Sequence, residues 1–231
     1  MLAATRDLPQ LLPMTIPKRA VASWILYDLA NTIFSMGVVS LYFSLWVRGE
    51  VGAERADMVY GVITAVSMGI IFVISPLLGA MTDRAARRMP FLVVSTLICV
   101  SLTLLIARSG YWPTILAFVF ANAAYQAGLQ FYDAMLPEVT TEENRGRISG
   151  IGVGVGYLGS YIAVGLGLTF GTADKPFLFG AIAIAFLIGF AGVIFFGSIV
   201  NASLVNLAER QREVATLVAM GQTHWQVGSV F

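Results

Sequence analysis

An all-α, polytopic membrane protein is the fold class that the sequence predicts, and three observations carry that prediction. Of 231 residues, 58% are hydrophobic and only 12% are charged, against roughly 25% charge in ordinary soluble domains. The mean hydropathy is +0.81. Six apolar stretches approach or exceed the ~20 residues that a helix needs to cross a hydrocarbon core about 30 Å thick. Lipid satisfies no backbone polar group, and runs this long and uniform lack the alternation of barrel strands, so each is expected to be a helix.

Residues 1–21 are expected to be a cytoplasmic lead-in. Arg6, Asp7 and three prolines interrupt them, unlike a cleaved signal peptide, and Lys18 with Arg19 anchors the first helix. The first three spans are Ala22–Val47, Met58–Ala80 and Pro90–Ala107. Cys99, in the third, is the only cysteine, which excludes an intrachain disulfide or a cysteine-pair metal site and fits a small core residue. The fourth span is Pro113–Met135. The fifth, Ile148–Phe170, is dense in glycine, and the four-residue spacings Gly150 to Gly154 and Gly152 to Gly156 predict close helix packing. Gly154, Gly156 and Gly159 also match a dinucleotide-binding spacing, but they lie inside an apolar run with no strand before it, so packing is the better reading. The sixth span is Phe177–Val200. Residues 22–188 are therefore read as one transmembrane bundle, and 189–231 as the last helix with a cytoplasmic tail.

Charge orients the path. Arg6, Lys18, Arg19, Arg84, Arg87, Arg88, Arg145, Arg147, Arg210 and Arg212 fall on one side of it, and Arg48, Arg55, Arg108 and Lys175 on the other. Positive charge near span ends is retained in the cytoplasm, so both termini are expected inside. The formal net charge is +1 and no basic run is long, so no nucleic-acid partner is expected.

Only two charged side chains fall within the six spans, Asp28 and Asp133. A charge at the bilayer centre costs on the order of 3 kcal/mol on insertion scales, so an acid placed there is expected to work. The local sequences echo one another, Tyr27-Asp28 in the first span and Tyr132-Asp133 in the fourth, a weak sign of two three-helix repeats. Asn31 follows Asp28 by one helical turn, and Gln130 adds an amide to the fourth span. One reading places Asp28, Asn31, Asp133, Tyr27 and Gln130 on a polar path for a small solute or a coupling proton. The other leaves the acids hydrogen-bonded at a helix interface or reaching the headgroup region. No nucleophile, base and acid constellation and no metal-ligand spacing occurs, so neither an enzyme nor a cofactor is expected.

The stretch Gly79-Ala80-Met81-Thr82-Asp83-Arg84-Ala85-Ala86-Arg87-Arg88 resembles the signature loop of the major facilitator superfamily, with Ala86 where a second glycine is usual. Trp24-Ile25-Leu26-Tyr27-Asp28-Leu29-Ala30-Asn31, Tyr132-Asp133-Ala134-Met135-Leu136-Pro137-Glu138 and Arg145-Gly146-Arg147-Ile148-Ser149-Gly150 are similar to the branch holding the vacuolar amino-acid effluxers of autophagy and their bacterial relatives. The resemblance implies a secondary transporter of small solutes in a bacterial inner membrane, working by alternating access, with amino-acid efflux coupled to protons. It makes these six helices one half bundle, completed by a second copy or a missing half. Gly79, Asp83, Arg84, Arg87 and Arg88 would then form a cytoplasmic gating loop.

From about Gly189 the sequence resembles instead the FtsX-like permeases of ATP-driven transporters, through Phe190 to Gly197, Leu207 to Leu217 and Met220-Gly221. That resemblance implies an alternative, a permease subunit whose tail meets an ATPase through Glu209, Arg210, Arg212 and Glu213. A fusion or truncated product would account for both resemblances in one chain.

Overall fold

A computed structural model describes residues 18–84, 88–171 and 174–194, and among them all regular structure is helical. Six long helices stand where six apolar runs were expected: α1 Lys18–Val51, α2 Ala53–Arg84, α3 Met89–Thr103, α4 Tyr111–Ala134, α5 Arg145–Phe170 and α6 Lys175–Ile194. A single helical turn, Leu136–Val139, follows α4. Lys18–Val51, Ala53–Met81, Arg145–Phe170 and Lys175–Ile194 are each long and apolar enough to cross a membrane. Phe72, Leu168 and Tyr161 stand outward on the bundle, 81%, 83% and 75% exposed, an apolar exterior that only lipid solvates favourably. The chain is an all-α integral membrane protein.

The other two helices fall short for different reasons. α3 has 15 helical residues, about 22 Å at 1.5 Å per residue. It was expected to run to Ala107 but ends at Thr103, because Ala107 is turned to a left-handed φ of 61° and its N–H donates to Thr114 Oγ1 at 3.1 Å. α4, with 24 residues, is long enough but carries Asn122, Tyr125, Gln126, Gln130 and Asp133. Protein rather than lipid surrounds much of it, so its apolarity can be lower.

Two boundaries differ from expectation, one at each end of α2. Gly79 to Arg84 belong to α2 rather than to a loop. The charges there mark the edge of the apolar layer, not the end of the helix, since Arg and Asp are tolerated in helices that leave the membrane. The chain reverses between α1 and α2 through one residue, Gly52, whose φ of 82° is open to glycine.

α1 and α4 run antiparallel side by side. Trp24 stacks on Tyr132, Phe34 meets Tyr125, Phe43 stacks on Phe118 and Trp46 stacks on Tyr111, so numbers rise on one helix as they fall on the other. α6 closes the core through Phe186 against Phe34 and Phe190 against Tyr27. Cys99 is fully buried, as its apolar context implied.

α5 packs on α1 through glycine. Gly152 lies beneath Trp24, Gly156 beneath Asp28, Gly159 against the Leu29 backbone and Gly167 against the Tyr42 ring. Any side chain at these positions would hold the helices apart. Gly150 and Gly154, with the same spacing as Gly152 and Gly156, have nothing within 4 Å of where a Cβ would stand. Only one of the two expected small-residue rows is therefore a packing row. Gly154, Gly156 and Gly159 all lie mid-helix, where no phosphate-binding turn forms.

Within α1, residues Ser35–Tyr42 form a π-helical segment, a wide turn that shifts the helix register. Neighbouring side chains hold it: Tyr60 of α2 donates to Val39 O at 2.5 Å, and Tyr42 donates to Ala163 O of α5 at 3.1 Å.

Candidate functional site

Several polar residues of the membrane part collect on one seam, where α1 faces α4. Successive turns of α1 place Trp24, Asp28, Asn31 and Ser35 along one edge, and α4 answers with Asp133, Tyr132, Gln126, Tyr125 and Asn122. Trp24 Nε1 donates to Tyr132 O at 3.3 Å, and Asn31 Nδ2 donates to the Tyr125 hydroxyl at 3.4 Å. The Tyr27 and Tyr132 rings lie 4.7 Å apart. The two Tyr-Asp pairs that echo one another in sequence thus meet in space.

Asp28 is half-buried. Its Oδ2 lies 2.6 Å from where a Cβ at Gly156 would be, so the carboxylate occupies room that only glycine leaves. Thr32 Oγ1 donates to the Asp28 main-chain oxygen at 2.8 Å, which engages the backbone and not the carboxylate. Asp133 is the penultimate residue of α4 and is exposed at the basic end of the bundle. Asp133 follows Tyr132, whose ring stacks on Trp24 one turn before Asp28, so the two acids stand at neighbouring levels of the seam. Among the described residues neither carboxylate has an ion-pair partner; the ion pair formed there joins Arg88 to Glu138.

Several buried atoms in the seam lack a hydrogen-bond partner. They include Asn31 Oδ1, the Tyr132 hydroxyl and both side-chain polar atoms of Asn122, in residues 4%, 3% and 0% exposed. A buried polar group without a partner costs about 1–3 kcal/mol. Natural structures hold few of them, so four such atoms on three residues of one seam point to something the seam receives. Asn122 was not singled out from the sequence. The signal available was an amide at the centre of an otherwise apolar run, the same signal that drew attention to Gln130.

Gln130 itself is already engaged. Its Oε1 accepts from Ser75 Oγ at 3.0 Å and its Nε2 donates to Ser75 O at 3.2 Å, which ties α4 to α2. Tyr27 is 2% exposed and packs its ring against Tyr132 and Phe190.

The basic end has its own contacts. Arg88 Nη1 donates to Ala134 O and to Glu138 Oε1, both at 2.7 Å, and so joins the start of α3 to the end of α4. Gly79 brings α2 close to Gln130 of α4, where an added Cβ would stand 3.7 Å from Nε2. The side chains of Asp83 and Arg84, and the whole of Arg87, lie outside the described residues, as do Glu209, Arg210, Arg212 and Glu213.

A family model described as Major Facilitator Superfamily matches residues 29–196. The chain is 32% identical over 148 residues to the Uncharacterized MFS-type transporter YxiO of Bacillus subtilis (strain 168), covering 61% of this chain and 35% of that protein. It is 30% identical over 180 residues to an Uncharacterized protein of Aquifex aeolicus (strain VF5), covering 75% of this chain and 44% of the other. The chain thus spans less than half the length of these curated relatives. The family match takes in α2 to α6 complete and all of α1 beyond Asp28, so that of the seam it includes Asn31, Ser35 and the α4 residues, and the chain belongs to the Major Facilitator Superfamily.

Proposed function

We propose that this chain is one half of a secondary transporter that moves small solutes across a membrane by alternating access. The observation that carries the reading is the seam itself: two acids, unpartnered amides and a tyrosine hydroxyl between α1 and α4 of an otherwise apolar bundle. An uncompensated acid among transmembrane helices is expensive, and its common use is a substrate or proton pathway. Asp28 and Asp133 take up and release the coupling proton, and Asn31 with Asn122 orients the solute.

The rest of the cycle follows from geometry. A six-helix half can enclose a path only against a second bundle, supplied by another copy of this chain or by a separate half. The basic end faces the cytoplasm, which puts both termini inside. There the Arg88 to Glu138 link ties α3 to α4 and holds that end closed. Opening requires it to part. Similarity to the vacuolar amino-acid effluxers makes amino acids leaving the cell the first solutes to try.

Flux into proteoliposomes tests this, with a panel of amino acids, an imposed pH step, and both the single chain and a tandem duplicate. Uptake that follows the pH step and falls to background in Asp28→Asn is the expected result. If neither form moves any solute, the transport reading is wrong for this chain.

A further inference from the structure

Two acids stand in the seam, and among the described residues no base pairs with them. Among the described residues, Arg88 is committed to Glu138 and Ala134 O. Lys18 and Arg19 lie at the start of α1, Arg145 and Arg147 at the start of α5, and Arg48, Arg55, Arg108 and Lys175 at the opposite end of the bundle. None of them pairs with Asp28 or Asp133.

Two of the unpartnered atoms can accept a hydrogen bond beside the acids. Asn31 Oδ1 is an acceptor only, it is buried, and it stands one turn from Asp28 on the same edge of α1. The Tyr132 hydroxyl, buried and without a partner, belongs to the residue beside Asp133, and its ring packs on Tyr27, the residue beside Asp28. Carboxylates accept and never donate when ionised, and an amide oxygen does the same. A set of acceptors with negative charge is complementary to a cation that carries N–H groups. It repels a carboxylate or phosphate, since the donors left over, the Tyr132 hydroxyl and Asn122 Nδ2, carry no charge to offset the two acids.

We propose that the seam formed by Asp28, Asp133, Asn31 and Tyr132 binds a primary ammonium group of the transported solute. This deepens the transport reading and rests on it for the location of the site. A quaternary ammonium would leave the Asn31 oxygen unsatisfied, so N–H-bearing amines are preferred. An amino acid enters by its ammonium end, and its carboxylate must be met by the facing bundle.

Equilibrium binding to the purified full chain in zwitterionic lipid nanodiscs tests the assignment, with empty nanodiscs as the blank. The probes are 2-phenylethylamine, 2-phenylethanol and phenylacetate, with hexylamine and hexanol as an aliphatic pair. Both amines should saturate at least tenfold more tightly than their alcohols, a difference of about 1.4 kcal/mol. Phenylacetate should not saturate. Asp28→Asn should weaken amine binding at least tenfold and leave the alcohols unchanged; Asp133→Asn, at the exposed end, provides the same test if Asp28→Asn does not fold. Amines that bind no better than alcohols, or not at all, overturn the proposal, as does amine affinity that survives in the folded variants. Tight amine binding without flux would sink transport and keep this assignment. Flux of neutral or anionic solutes that is lost in Asp28→Asn would do the reverse.

Discussion

Toward α5, helix α1 meets a column of glycines; toward α4, it meets tyrosines, amides and acids. On the first face Gly152, Gly156, Gly159 and Gly167 let the backbones approach until side chains of α1 rest on the α5 main chain. On the second, aromatic stacks alternate with polar atoms, several of which have no partner. The difference separates two tasks that one helix performs. Close apolar contact holds membrane helices together, where no hydrophobic drive exists between them and lipid. Unsatisfied polar groups do not, and they persist where a ligand repays them.

The largest effect should come from breaking the first face. A Cβ at Gly159 would collide with the Leu29 carbonyl oxygen and stand 3.1 Å from Ile33 N, both backbone atoms that cannot rotate away. Gly159→Leu is expected to destabilise the bundle by about 3 kcal/mol or more through overpacking. Gly154→Leu, in a position with open space, should change stability by less than about 0.5 kcal/mol. Thermal unfolding of the detergent-solubilised variants compares them. Equal losses would mean that α5 packs through both rows.

That pair of glycines also marks how far the sequence can be read. Six helices were legible because lipid demands long apolar runs; that Tyr27 would lie against Tyr132 was not legible, because the Tyr-Asp echo suggests equivalent helices and says nothing of which helices touch. Which glycine row packs was not legible, since Gly150 to Gly154 and Gly152 to Gly156 carry the same spacing and rotation about the helix axis is set by neighbours. The end of α2 was misplaced because Asp83 and Arg84 signal water, and water does not stop a helix. The π segment of α1 leaves no trace in Ser35–Tyr42, a run more apolar than the stretches of α1 on either side but otherwise ordinary for a membrane helix. Its register depends on hydroxyls from α2 and on the α5 carbonyls, far away in sequence.

A smaller effect, of opposite sign, should come from the second face. Asn122 is fully buried with neither side-chain atom partnered, so Asn122→Leu removes an unsatisfied amide at similar volume. It is expected to stabilise the protein by about 1–2 kcal/mol while solute flux falls. The same thermal unfolding assay, run beside proteoliposome flux, reads both. A loss of stability would show that the amide has a structural partner, and it would remove Asn122 from the solute path.

The smallest effects should arise where the two faces share a support. Tyr42 donates to Ala163 O of α5, and Tyr60 donates to Val39 O, so two hydroxyls hold opposite sides of one π segment. Tyr42→Phe and Tyr60→Phe each remove one hydrogen bond, worth about 1 kcal/mol apiece. Val39 O is released when Tyr60 is lost, and it can then rejoin a regular helical ladder, which rotates Tyr42 away from Ala163. The second substitution should consequently cost less than the first, and the double variant should lose less than the sum of the singles. Independent sites add to within about 0.5 kcal/mol. Strict additivity in thermal unfolding would therefore mean that the π segment does not couple the α5 face of α1 to its neighbours, and that the register of Asp28 is fixed by glycine packing alone.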